Sequence, residues 1–332
     1  MTDHTNPMSA VRNTCDFVTS SASHVSIDMS AISTFVGSIN KESTLVSLKD
    51  GVAWDANNWH YCADAKEYGK LTCQYIFVMD ALNFCFWPQA DLEYDTLAMS
   101  LKAVLEKDTE IFSGANLATI DATTIQSWFP AHLPMPNIEE RVCRLQELGQ
   151  VLVKHFDGWA CNLVNQAKNS SVTLVSLILQ YLPGFRDTCI YKGRLIHFYK
   201  RAQILVGDLW AAYGRHVTAS GNDNIYYFTD MHELTMFADY RVPQLLRELQ
   251  ILKYDDVLAE KIDLLETIAF GTEEEVEIRA CTVIAVEHIQ RQLKEELQLS
   301  LLVIEVDWLL WQQGEESRHD IKPHHRTLTI FY

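Results

Sequence analysis

Apolar residues at helical spacing, running from about residue 96 onward, constrain this 332-residue chain more than any other feature. Pro134-Met135-Pro136 closes one element, and Asn137 with Glu140 has the form of a capping box at a helix start. Val142, Leu145, Leu148, Leu152 and Phe156 follow at three- and four-residue steps, the stripe of an amphipathic helix. Ser170-Ser171 opens the nearly all-apolar run 172–182, which Pro183-Gly184 stops. That run reads as a buried helix, although periodicity alone does not separate it from a buried strand. Thr272 with Glu275 forms a second capping box, opening a helix through Val276, Cys281, Ile284 and Ile289, and Glu273-Glu274-Glu275 favours its dipole. Leu301 to Trp311 reads as one more buried helix. The best hairpin candidate is Ile190 to Ile196, with Lys192-Gly193 at the turn. No repeat, low-complexity linker or composition break divides the chain. The expected fold is therefore mostly α, a single helical domain over residues 26–332 with a small β-hairpin element. Residues 1–25 are Ser/Thr/Asn-rich and are expected to be a flexible tail rather than a secretory signal.

Composition narrows the function classes. A hydrophobic content of 48% and a charged content of 21% are those of an ordinary globular protein. The formal net charge of −17, with no basic run, argues against a nucleic-acid surface, which depends on clustered Lys and Arg. A nucleotide substrate would then be free rather than polymeric. No stretch reaches the apolar length that spans a bilayer. Eight scattered cysteines without a C-x-x-C read as reduced thiols in a cytoplasmic compartment, or a nuclear one. Twelve histidines form no H-E-x-x-H and no zinc-spaced Cys/His set, so no metal and no cofactor are expected. His324-His325, in a polar segment, reads as surface. G-x-S-x-G, G-x-G-x-x-G and Walker patterns are absent as well.

Two segments carry the chemistry. Asp80-Ala81-Leu82-Asn83-Phe84-Cys85-Phe86-Trp87 sets an acid and an amide beside three aromatics, a set suited to a flat heteroaromatic ring. Phe237-Ala238-Asp239-Tyr240-Arg241-Val242-Pro243-Gln244 places a carboxylate and a guanidinium just before a proline that marks a helix's first turn. Free N–H groups there, with Arg241, make an anion site. A base, a carboxylate and an anion together point to a nucleotide. Asp239 and Asp307 both sit in apolar-aromatic surroundings, and each is either a cap or ion-pair partner, or one of the two buried acids that oxocarbenium-forming hydrolysis needs. Asp80 ends the strand-like stretch 75–79 and is a third acid, or orients the loop after it. Lys200-Arg201, flanked by aromatics, is a surface pair or a half-buried anion contact.

Taken together with Phe198–Leu205, Glu275–Arg279 and Asp307–Trp311, these segments resemble the queuosine salvage protein family, the queuosine 5′-phosphate N-glycosylases, from about Ser30 to Tyr332. The resemblance implies a fold like that of helix-hairpin-helix DNA glycosylases, and release of queuine from queuosine 5′-monophosphate for reinsertion into tRNA. It implies that Asp239 is the nucleophile or cation-stabilising acid and that Phe237 contacts the base. It puts Asp307, Trp308 and His60 in the queuine pocket. The family's acid after the last tryptophan is Gln312 here, which keeps hydrogen bonding and loses a charge. Phe84, Phe86, Trp87 and Phe237 would stack the base, with Asp80, Asn83 or Asp307 as its polar contacts, and Arg241, Lys200 and Arg279 would take the phosphate. Its partners would be the nucleotide and queuine alone, with no nucleic acid and no membrane, and the protein a monomer. A queuine or queuosine carrier without catalysis is the second reading, and a DNA-repair glycosylase, which the acidic charge disfavours, the third.

Overall fold

The computed structural model describes residues 6–48, 54, 57–63, 69–89, 92–214 and 224–332. Among them the chain is mostly helical. The first part comprises α1 (Pro7–Ser21), β1 (Val25–Ile27), α2 (Met29–Ser38), α3 (Lys41–Val46), α4 (Gly69–Leu82), α5 (Tyr94–Lys107), α6 (Gly114–Ala118) and α7 (Ala122–Ser127). Next come α8 (Ile138–His155), α9 (Ala160–Gln166), α10 (Ser171–Tyr181), β2 (Thr188–Tyr191), β3 (Arg194–His197) and α11 (Lys200–Leu209). The chain continues through α12 (Arg241–Glu248), β4 (Leu252–Tyr254), α13 (Asp256–Asp263), α14 (Glu273–Leu297) and α15 (Val303–Ser317). No helix among the described residues is long and apolar enough to cross a membrane.

Local signals explain most of these boundaries. Ser170 caps α10 by accepting from Thr173 N–H, which resolves the run 172–182 as helix. Thr272 caps α14, and the Glu275 carboxylate turns back to Gly271 N–H at 3.0 Å. The hairpin forms as expected, with Ile190 opposite Leu195 and Lys192-Gly193 at positive φ in the turn. A second two-stranded pair, β1 with β4, joins segments more than 220 residues apart.

Four expectations fail. Pro7–Ser21, assigned to a flexible tail, is α1, and residues 1–5 lie outside the described residues. Met8, Val11, Cys15 and Val18 recur at helical spacing and are fully buried, with α1 packed on α14, so the polar composition of this stretch is that of its outer face only. Residues 75–79, read as strand-like, belong to α4, which is buried on every side; a helix without a wet face shows no amphipathic period. Asn137 precedes α8 in the left-handed region and makes no cap bond with its side chain. His325, read as surface, is buried, and burial drives its pKa down to about 3.

One apolar core runs from Met8 on α1 to Leu310 on α15. Within it α4 packs on α11, and α12 and α14 each pack on α15. These contacts bring the segments singled out in the sequence to one place.

Candidate active site

Helix geometry selects the residues that meet there. On α11 and the π turn continuing it (Trp210–Gly214), Lys200, Ile204, Asp208 and Ala211 recur at four-, four- and three-residue steps and face one cavity of about 400 Å³. On α15 the stripe is Asp307, Trp308, Trp311, Gln312, Glu315 and Glu316. Phe237, Asp239 and Tyr240, from the segment entering α12, lie between the two stripes, and Asn83, Phe86, His60 and Tyr94 form the facing wall. Gly207 lets the walls approach: a Cβ there would stand 3.0 Å from Phe237 Cζ. Trp308 stacks on Trp210 with centroids 6.1 Å apart, and His60 stacks on Trp54 at 3.9 Å. The His60 ring is fixed at both nitrogens, Nδ1 at 2.7 Å from Trp54 O and Nε2 at 2.9 Å from Tyr94 Oη. Burial lowers its pKa to about 4, so the ring is neutral at pH 7.

The acids are less evenly provided for. Asp239 Oδ1 accepts from the N–H groups of Arg241 and Val242, each at 3.1 Å, at the start of α12. Pro243 has no N–H, so Asp239 itself fills the helix end that the sequence suggested for an exogenous anion. Burial raises the Asp239 pKa, and Lys200, the Val242 bond and Arg241 oppose that rise. Asp307 Oδ1 accepts from Phe237 N–H at 3.2 Å; burial and the neighbouring Asp239 push its pKa well above the carboxylate range. Asp80 lies behind Asn83, whose Nδ2 is 3.3 Å from Asp80 Oδ1, and burial raises its pKa to about 7. Burial, and after it Asp80, raise the Asp208 pKa well above the carboxylate range. Burial lowers the Lys200 pKa, while Asp239 and Asp80 are the carboxylates that most support its charge. Four carboxyl groups therefore surround one ammonium.

Most of the expected residues meet here: His60, Asn83, Phe86, Lys200, Phe237, Asp239, Asp307, Trp308 and Gln312 all line the cavity. Asp80 is fully buried one layer behind it. Four others serve the framework. Phe84 lies against the guanidinium groups of Arg141 and Arg201, and Trp87 lies 5.8 Å from that of Arg326. Arg241 bonds Glu315 through Nε at 2.5 Å and Gln244 at 2.5 Å, with Glu93 at 3.8 Å. Arg279 is fully buried against Asp187. Each of these two arginines already has its carboxylate, which opposes the phosphate role expected for it. The residues missed include Asp208, Tyr94, Trp54, Trp59, Tyr240, Glu93, Glu315, Glu316, Arg318 and Tyr332. Asp208 was within reach of helical spacing counted from Lys200, whereas the others depend on which segments pack together.

Among the described residues one imidazole–carboxylate grouping has metal-ligand spacing, His24, Glu273 and Glu277, none of which lines the cavity. Two of its three residues have atoms committed elsewhere. His24 Nδ1 is 2.6 Å from Asp255, and Glu277 Oε2 accepts from the N–H groups of Ser23, His24 and Val25.

A family model described as queuosine salvage protein matches residues 62–332, a span that holds nearly all of the cavity wall. The chain belongs to this family. A Dictyostelium discoideum relative named queuosine 5′-phosphate N-glycosylase/hydrolase is 41% identical over 333 residues, covering 98% of this chain and all of the relative. Relatives of the same name are 40% identical in Sphaerobacter thermophilus, over 79% of this chain and 82% of the relative, and 33% identical in Mus musculus, over 86% and 90%. The family segments supply both helix stripes and the Asp239 turn, and outside residues 62–332 the wall gains Trp54, Asn57, Trp59 and His60.

Proposed function

We propose that this protein hydrolyses the N-glycosidic bond of queuosine 5′-phosphate and releases queuine, with Asp239 facing the anomeric carbon. The observation that carries this reading is the Asp239 turn: two backbone N–H groups fix the carboxylate at the edge of a cavity walled by Phe237, Trp308 and Phe86. Such a group supports a ribosyl cation without reorganising as charge develops. The base is a 7-deazaguanine, whose ring carries carbon where purine glycosidases commonly protonate nitrogen, so the leaving group has to be stabilised elsewhere. Aromatic walls hold the base plane and exclude water. The ammonium on its side arm finds carboxylates along α15. With Arg241 and Arg279 committed, the cations lining the cavity among the described residues are Lys200 and Arg318, and Lys200, beside Asp239, takes the 5′-phosphate in this reading. A net charge of −17 fits a free nucleotide rather than tRNA.

The test is incubation with queuosine 5′-phosphate and chromatography for queuine and ribose 5-phosphate in equal amounts. Binding without release would make the protein a carrier, and inertness toward the nucleotide would remove the reading altogether.

A further inference from the structure

One pair of acids has no role in this account of Asp239. Asp80 on α4 and Asp208 on α11 belong to helices packed against each other. The Oδ2 atoms of both are buried without a hydrogen-bond partner among the described residues. Asp208 is 6% exposed and opens into the cavity; Asp80 is 0% exposed and sits behind Asn83. A buried carboxylate oxygen without a donor is costly, whereas a carboxylic acid needs fewer partners and offers a proton. The groups facing the pair are few. Asp80 and Tyr75 act from α4, Tyr94 from α5, and Lys200 from α11, with Arg201 beyond Asp80. Tyr75 already donates to Ala98 O at 2.8 Å, so Lys200 alone among these has a positive charge near both acids. Burial and then the Asp80 charge hold the proton on Asp208, while Asp80, whose pKa burial raises to about 7, is ionised in part of the molecules at pH 7.

We propose that Asp208 is the acid that protonates the departing base, and that Asp80 behind it is the positioning residue that keeps it protonated. This rests on the reaction proposed above. The bond from the anomeric carbon to the base nitrogen breaks, its electron pair stays on the base, and the Asp208 proton passes to a heteroatom of the base. Water then bonds to the anomeric carbon and gives its proton to Asp239. Return of that proton through solvent restores the Asp80–Asp208 pair, so one water is consumed for each bond broken. The arrangement answers the 7-deaza problem with a neutral carboxylic acid whose proton an ionised neighbour retains, in place of protonation at a purine nitrogen.

The experiment compares two substrates, queuosine 5′-phosphate and p-nitrophenyl β-D-ribofuranoside 5-phosphate, whose leaving group departs without protonation. Asp208→Asn is expected to lose about 10²-fold or more in kcat on the nucleotide, the order of a general acid's contribution, and to stay within about threefold on the nitrophenyl compound. Its affinity for queuine is expected to remain within about threefold of the unsubstituted protein's, because asparagine keeps a hydrogen-bond donor toward the base and loses only the transferable proton. Asp239→Asn is expected to lose both substrates. Asp80→Asn gives a second readout that does not need Asp208 altered: without the negative neighbour the Asp208 proton is held less tightly, so the alkaline limb of kcat/KM moves to lower pH. Equal loss on both substrates, queuine affinity falling in step with rate, or an unmoved alkaline limb in Asp80→Asn would each overturn the assignment. If the unsubstituted protein releases nitrophenol but no queuine, the substrate reading fails instead, and the two failures are distinct.

Discussion

Two clusters of buried charge meet near Tyr332, and they use the same residue types in opposite ways. In the first, Arg279 forks onto Asp187 with bonds of 3.0 and 2.6 Å, donates to Ala238 O at 3.2 Å, and lies between the rings of Phe198 and Tyr332. Glu275 adds a contact to Arg279 at 3.6 Å and accepts from Gly271 N–H and Tyr332 Oη–H. In the second, the cavity, four carboxyl groups gather around Lys200, and the Oδ2 atoms of Asp80 and Asp208 have no donor among the described residues. Buried charge whose valences are filled holds the fold together; buried charge left short of partners keeps its capacity for a ligand. That contrast separates Arg279 from Lys200 better than sequence context does.

The comparison can be broken most directly at Asp187. Asp187→Ala leaves Arg279 buried with its main partner gone, and a loss of about 3–5 kcal/mol of stability is expected. Thermal and urea denaturation measure it, and a loss below about 1 kcal/mol would show that the first cluster is not structural in the sense argued. Asp239→Asn comes next. Asparagine keeps an oxygen for the Arg241 and Val242 N–H groups, so the melting temperature should hold while kcat falls by about 10²-fold or more. A fold loss with activity retained per folded molecule would reassign Asp239 to the first kind of cluster.

Lys200 and Arg241 sharpen the comparison further. Lys200→Met is expected to weaken the 5′-phosphorylated substrate about tenfold more than the nucleoside, the worth of one charge-assisted contact. Arg241→Ala should lower activity on both equally, because its guanidinium holds Glu315 rather than a substrate oxygen. Rates on the paired substrates decide both, and a selective effect at Arg241 would restore it as the phosphate contact.

The smallest effect expected is in pH dependence. Burial lifts the Asp80 pKa from 3.8 to about 7, so between those values the folded protein keeps a proton that the unfolded chain has released. Stability from that proton is present at low pH and is lost as pH rises through the window. Asp80→Asn removes the dependence. The variant should match the unsubstituted protein near pH 4 and exceed it at pH 8 by about 1 kcal/mol, a conservative share of one pKa unit's worth. A stability difference between the two that does not change with pH would mean that Asp80 titrates as it does in the unfolded chain.

How much of this was legible depended on range. The extent of α10 and the positions of α8, α14 and α15 follow from apolar spacing and from nearby prolines, serines and threonines, as does the β2–β3 hairpin, whereas α14 runs on to Leu297 and α15 to Ser317, past the residues read as helix. Helix α4 was misread because burial on all sides removes the contrast that periodicity relies on. Of the site, Asp239, Phe237, Asp307 and Trp308 were recognisable from their own segments. Asp208 was not singled out, although it lies eight residues from Lys200 on the same face of α11.

Sequence by itself determined the local grammar of this protein: where helices start and stop, which segments carry acids among aromatics, and which family they resemble. Tertiary structure alone decided which partner each charge meets. Arg241 and Arg279 look as fit for phosphate as Lys200 does until packing brings Glu315, 74 residues on, to the one and Asp187, 92 residues back, to the other. Neither separation leaves a trace in spacing, because the side-chain repeat of a helix specifies its own faces but not the neighbour each face will meet.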